Sequence, residues 1–243
     1  MKIAVAGSTG LIGSQLTALA RREGHTVVEI ARQTGFDLLV PESLDQALTG
    51  VEAVIDVTQS PSLEETEATR FFTTVAANLG RAATAAKVSR TVVLSIVGVD
   101  RMSDYGYYVA KLAQEHAARA AAPGVVVLRA TQFHEFANQM LGWSTKDGIA
   151  QIVDVPTQPV SSAEIVRLLL DLATGAAQGD TELAGPRQER LVDQVRRIVE
   201  RSGSDVTVTA VTAPDSMANG AMLPDSDALL RGPDWETWLE QQG

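Results

Sequence analysis

Residues 2 to 20 constrain the fold of this chain most. A short apolar run over residues 2 to 6 breaks into Gly7-Ser8-Thr9-Gly10-Leu11-Ile12-Gly13, and Ile12, Leu16, Leu19 and Ala20 then recur at helical spacing until Gly24. The run reads as one buried parallel strand and the stripe as an amphipathic helix. A strand that turns through glycines into a helix aims the helix's free amides and positive dipole end at an anion. Gly7, Gly10 and Gly13 let the strand turn sharply, the backbone approach a pyrophosphate and the helix start close to the strand. Ser8 stands where G-x-G-x-x-G would place its first glycine, no Gly-Lys-Ser/Thr follows as in a Walker loop, and the G-x-S-x-G of a hydrolase elbow is absent.

Further strands are expected over 25–31, 36–40, 53–58, 91–97 and 125–129, alternating with helices over 42–48, 64–87 and 107–121. That rhythm implies βαβ units and a Rossmann-type, doubly wound parallel sheet of the α/β class. Beyond residue 132 it loosens into helices over 161–174 and 187–202, a strand over 206–211 and a loop over 212–224. A single domain is expected over 1–243, with residues 132–243 contributing most of a small substrate lobe.

The net charge of −10 repels phosphate backbones and anionic membranes at long range, so neither nucleic acid nor a membrane surface is expected as partner. Without cysteine there is no disulfide or thiolate chemistry. The first apolar run is too short for a signal peptide and no stretch reaches a membrane span, which reads as cytoplasmic. His134-Glu135 lacks the second histidine of H-E-x-x-H, so no metal site is expected.

The second strand ends Glu29-Ile30-Ala31-Arg32. An acid at that mouth would bind the 2′-hydroxyl of NAD, and an arginine the 2′-phosphate of NADP. Arg32 stands at the mouth and Glu29 lies inside the strand, which favours NADP(H) over NAD(H). Tyr107 and Lys111, four apart, share one helix face. The ammonium is expected to lower the tyrosine's pKa and make it a usable acid or base. Ser95, ending the fifth expected strand, would add a hydroxyl to the same substrate oxygen. Phe136, Met140 and Trp143 are expected to pack on the core, with the lining of an apolar substrate pocket as the alternative, and Trp235 and Trp238 to anchor the last residues.

Together these residues resemble the short-chain dehydrogenase/reductase superfamily, in its atypical, NmrA-like branch. The resemblance runs from the glycine turn through Leu94-Ser95-Ile96-Val97-Gly98-Val99-Asp100, Tyr107-x-x-x-Lys111 and Leu128-Arg129-Ala130-Thr131-Gln132-Phe133 to Glu182-Leu183-Ala184-Gly185-Pro186. It implies that Asp37 and Leu38 flank an adenine and that Thr58 neighbours a cofactor ribose. It also implies that Asn78 supports Lys111 through water and that Phe133 borders the nicotinamide. A C-terminal lobe this short counts against nucleotide-sugar epimerisation. The expectation is an NADPH-dependent reductase of a carbonyl or related small molecule, with room for a homodimer. The rivals are a non-catalytic NADP(H) sensor and a quinone or azo reductase that does not use Tyr107.

Overall fold

In the computed structural model, which describes residues 1–242, the chain alternates strand and helix from its first residues. β1 (Lys2–Ala6), α1 (Leu11–Arg22), β2 (Thr26–Ile30), α2 (Pro41–Ala47), β3 (Ala53–Asp56), α3 (Glu65–Ala85), β4 (Arg90–Ile96), α4 (Gly106–Ala121) and β5 (Val125–Ala130) follow in order. Then come α5 (Phe136–Ser144), β6 (Thr145–Lys146), β7 (Ile149–Val153), β8 (Pro156–Thr157), α6 (Ser162–Thr174), β9 (Thr181–Ala184) and β10 (Glu189–Arg190). α7 (Leu191–Ser202), β11 (Thr207–Val211), α8 (Asp215–Ala218), β12 (Leu229–Leu230) and α9 (Trp235–Glu240) complete the described residues.

The central parallel sheet has seven strands in the order β12-β9-β5-β4-β3-β1-β2. From β1 the chain steps to β2 on one side, then returns to build β3, β4 and β5 on the other. The reversal makes the carboxyl ends of β1 and β3 a topological switch point, where open α/β sheets bind ligands. Ile3 to Ala6 and Ala53 to Ile55 are fully buried, which is why these strands read as unbroken apolar runs. α3 forms because its sequence is alanine-rich and free of proline, with Glu65 and Glu67 in the first turn against the helix dipole. It lies so close to α4 that a Cβ on Gly80 would come within 2.6 Å of Ala121.

The strand expected over 36–40 is not there. Phe36 and Leu38 do pack on the core, but from a turn in which Val40 N–H donates to the Asp37 carbonyl at 3.1 Å. Their alternation is satisfied by burial alone, without a ladder.

Two compact units emerge, residues 1–129 with 163–181, and residues 130–162 with 182–243. The lobe expected from residue 132 onward is therefore interrupted, because α6 belongs to the first unit. The Arg90 guanidinium donates to the Leu172 carbonyl at 2.7 Å, and Arg167 pairs with both Glu23 and Asp171. In the second unit β7 pairs parallel to β11 and antiparallel to β6, and β8 pairs antiparallel to β10. Trp235 is buried and its indole N–H donates to the His134 carbonyl at 3.1 Å, while the Trp238 ring lies 5.2 Å from the His134 ring. Trp143, expected in the core, is 62% exposed instead. No helix among the described residues is long and apolar enough to cross a membrane.

Candidate active site

The glycine turn divides its labour unequally. Gly7 has φ +83°, and a Cβ there would lie 2.9 Å from the Val57 carbonyl oxygen. A Cβ on Gly13 would lie 2.1 Å from the Gly7 carbonyl oxygen, so α1 starts hard against the end of β1. Gly10 is different: its backbone is extended, with φ −76°, and a Cβ would meet only the Gly7 oxygen at 3.5 Å. Gly10 caps α1 without a side-chain hydrogen bond, and the first turn carries no acid. The amides of Leu11, Ile12 and Gly13 therefore have no partner within the helix. Thr9, Gly10 and Leu11 are exposed, whereas Ser8 is buried with an unpartnered Oγ. An uncapped, acid-free helix end beside a glycine with free space fits a dinucleotide pyrophosphate.

At the end of β2, Arg32 opens a single 3-10 turn, Arg32–Thr34, and its side chain is exposed with no partner among the described residues. Glu29 is occupied by Arg21 at 2.5 Å. The Thr9 hydroxyl donates to Gln33 Oε1 at 3.4 Å, which ties the mouth of β2 to the glycine turn. Gln33 was not singled out in the sequence, where a lone polar residue after Arg32 gives no signal. Asp37 Oδ1 accepts from Leu39 N–H at 2.9 Å. The Asn78 side-chain amide donates to the Leu38 carbonyl at 2.9 Å and so braces this loop.

The catalytic candidates gather at the end of β4 and the first turns of α4. Ser95 is 3% exposed, and its hydroxyl has no hydrogen-bond partner. The carbonyl of its neighbour Leu94 accepts from Lys111 Nζ at 2.8 Å. Phe72, buried on α3, receives both members of the tyrosine–lysine pair. The Tyr107 ring meets it edge-on at 5.8 Å, and the Lys111 ammonium lies 4.8 Å from its centroid. Burial pushes the Lys111 ammonium down to about 8, against the opposing pull of Asp56 and Glu115.

Tyr107 moves the opposite way from the sequence expectation. Its pKa is pushed up to about 12, first by burial and then by Tyr105. Lys111 does not offset this, because its ammonium is committed to the Leu94 carbonyl and to Gln114.

A buried chain of polar side chains stands behind Lys111. Gln114 Oε1 accepts from its ammonium at 2.5 Å, and Gln114 Nε2 donates to Asp56 Oδ2 at 2.8 Å. Asp56 Oδ1 accepts from Thr58 N–H at 3.0 Å and from the Thr58 hydroxyl at 2.7 Å. Gln114 and Asp56 went unnoticed in the sequence; the i, i+3 spacing of Lys111 and Gln114 was the available signal. Glu115 is held in a two-pronged pair with Arg129, at 3.0 and 2.9 Å. Phe133 belongs to the second unit, where its backbone bridges to Val160.

Several solved structures share this fold. A dTDP-4-dehydrorhamnose reductase from Clostridium acetobutylicum superposes with TM-score 0.78 at 17% identity, over 99% of this chain and 98% of that one. An NADPH-dependent quinone oxidoreductase from Escherichia coli, complexed with NADPH, gives 0.77 at 17% identity over 99% of both chains. A UDP-N-acetylglucosamine 4-epimerase from Bacillus cereus gives 0.72 at 16% identity, over 99% of this chain and 94% of that one. The last match removes the length of the C-terminal lobe as an argument against epimerase-type relatives. Residues 3–132, which carry the glycine turn, Ser95, Tyr107 and Lys111, match the profile of the NAD dependent epimerase/dehydratase family. The matched stretch is more than half of the 243 residues, and the chain belongs to that NAD(P)-dependent family.

Proposed function

We propose that this chain is an NADPH-dependent reductase of an uncharged carbonyl or related small molecule, in the NmrA-like branch of its superfamily. One observation carries the reading. The buried Lys111 ammonium is bonded to the carbonyl directly before Ser95, whose buried hydroxyl is unpartnered, with Tyr107 one helical turn away. A hydroxyl held dry and unbonded is poised to donate to an oxygen that a substrate brings.

The glycine turn and the first amides of α1 would hold the pyrophosphate, Arg32 the 2′-phosphate, and Lys111 the nicotinamide ribose. The bound nicotinamide supplies a hydride to the acceptor carbon. Ser95 orients the acceptor oxygen by hydrogen bonding. Tyr107 gives that oxygen its proton. The high tyrosine pKa suits this direction of reaction, since the phenol stays protonated throughout neutral pH. An alkoxide is more basic than even this phenolate, so proton transfer to it runs downhill. Lys111 keeps one N–H for the ribose, because an ammonium has three donors and two are spoken for.

The charge of the second unit favours an uncharged acceptor over a nucleoside-diphosphate sugar, taking that unit as the substrate lobe. It carries seven Lys and Arg against fourteen Asp and Glu, a formal charge of −7. Arg187, Arg190, Arg196 and Arg197 are all engaged by acids of the same unit, with Arg190 on Asp154 at 2.6 Å. A diphosphate would have to compete for them.

The test is NADPH oxidation against ketones, aldehydes, enones, quinones and a nucleotide-linked keto sugar, dTDP-4-dehydrorhamnose. Turnover of uncharged carbonyls is expected. Turnover of the nucleotide-linked keto sugar alone, or of none with NADPH-dependent capture of a partner, contradicts the reading.

Cofactor preference is a separate expectation. Arg32 is unpaired and Glu29 is not, so NADPH should bind more tightly than NADH through charge-assisted bonds worth about 1.5–3 kcal/mol, or about ten- to a hundredfold. Calorimetric titration of both cofactors checks it. Equal affinities, or a preference unchanged in Arg32→Ala, would show that the 2′-phosphate is held elsewhere.

A further inference from the structure

Lys111 is buried at 5% exposure, and an isolated ammonium in such a place would shed its proton or cost several kcal/mol. Among the described residues, the titratable groups that act on it are Asp56 from β3 and Glu115 from its own helix. Glu115 is committed to Arg129. Asp56 is 2% exposed and pairs with no cation directly; its contacts are the Thr58 N–H, the Thr58 hydroxyl and the Gln114 amide. Gln114, fully buried, thus separates a carboxylate from an ammonium.

That order fixes the amide. An ionised carboxylate only accepts, so Asp56 must face the Gln114 NH2 group, and the Gln114 oxygen must then face Lys111. A direct Lys–Asp pair would hold the ammonium as tightly, but would turn it toward β3 and away from α4's active face. Through the amide, Lys111 receives an aimed acceptor and a nearby negative charge while keeping one N–H free. The far end of the chain is Thr58, two residues past the end of β3 at the switch point.

We propose that Asp56 and Gln114 are positioning residues that hold Lys111 charged and aimed for its part in the reaction. The proposal rests on the reading of Lys111 as Tyr107's partner, but its physical core can be measured without turnover. Phe72, facing Lys111 from α3, is apolar and adds no charge that titrates.

The chain has four lysines, and Lys2, Lys87 and Lys146 are all more exposed than Lys111. Lysine labelled with 13C at Cε therefore gives a spectrum in which one buried resonance stands apart and can be titrated in the 243-residue chain. In the native chain that resonance should titrate near 8. The ammonium is present below that pH and lost above it, so kcat/KM for reduction should fall on the alkaline side with the same midpoint. Asp56→Asn removes the charge and frees the amide to turn, and Gln114→Met removes the acceptor. Each should lower the Lys111 titration by on the order of one pH unit and carry the alkaline limb of activity with it. Gln114→Glu is the rescue: Glu and Asp56 can share one proton, so an acceptor and at least one negative charge still face Lys111. Its titration should return to the native value or exceed it.

A purely structural network would alter the melting temperature in all three variants without moving the lysine in opposite directions. If Asp56→Asn does not fold, the Gln114 pair decides. The proposal is overturned if the Lys111 titration is the same in the native chain and in Gln114→Met. It is equally overturned if Gln114→Glu moves it the same way as Gln114→Met, or if the resonance shifts while the alkaline limb stays put. If Lys111→Ala keeps full turnover, the catalytic reading of Lys111 fails, while the titrations still report whether the network controls its charge.

Discussion

Gly13→Val is expected to abolish folding, whereas Gly10→Val should fold and lose the dinucleotide. A Cβ at residue 13 would sit 2.1 Å from the Gly7 carbonyl oxygen and 2.7 Å from the Ser8 Cα. Both are backbone atoms just past a strand whose last four residues are fully buried, so no rotamer relieves the clash. Overpacking a yielding core costs about 1–3 kcal/mol, and a rigid backbone contact costs more. That is a large share of the roughly 5–15 kcal/mol that keeps a domain folded. At residue 10 the backbone is already extended and the nearest atom is 3.5 Å away, so valine adds no strain. Its methyl groups would instead occupy the space where the pyrophosphate must approach the α1 amides. Circular dichroism melts should show no cooperative transition for Gly13→Val and a near-native one for Gly10→Val. NADPH affinity of the latter should fall by at least about a hundredfold, the loss of two charge-assisted hydrogen bonds. A folded Gly10→Val variant with native NADPH affinity would place the dinucleotide elsewhere.

What could be read from the sequence depended on how local its physical cause was. The β1 turn, the uncapped α1 and the Ser95–Tyr107–Lys111 spacing follow from neighbouring residues, and all take the expected backbone form. The place of Glu29 within β2, one residue short of its end, was legible for the same reason. Phe36 and Leu38 misled because alternation reports burial, and a turn tied down by Asn78 and Asp37 buries them as well as a strand would. The direction of the Tyr107 shift was out of reach, since spacing shows that an ammonium is near but not how much water is excluded. Here desolvation wins. Gln114 belongs to no motif, and its hold on the lysine appears only when the fold brings Asp56 behind it. The assignment of α6 to the first unit depends on ion pairs such as Arg167 with Glu23, separated by 144 residues and invisible to periodicity.

The central claim is that Tyr107 donates a proton during reduction. Tyr107→Phe removes one hydroxyl and leaves the ring against Phe72, so the fold and NADPH affinity should be spared. General acid catalysis contributes about 10²–10⁴-fold, and turnover should fall by that factor. Tyr108 supplies the control. It is 7% exposed, its ring packs edge-on against Tyr105 at 5.5 Å, and it points about 100° away from Tyr107 around α4. Tyr108→Phe keeps the ring against Tyr105 and should barely change turnover. The decisive measurement is the steady-state rate of NADPH oxidation by the native chain, Tyr107→Phe and Tyr108→Phe on the best uncharged acceptor found. The account predicts a loss of about 10²–10⁴-fold for Tyr107→Phe beside a nearly native Tyr108→Phe. A fully active Tyr107→Phe would contradict it and leave a reductase that passes hydride without this acid.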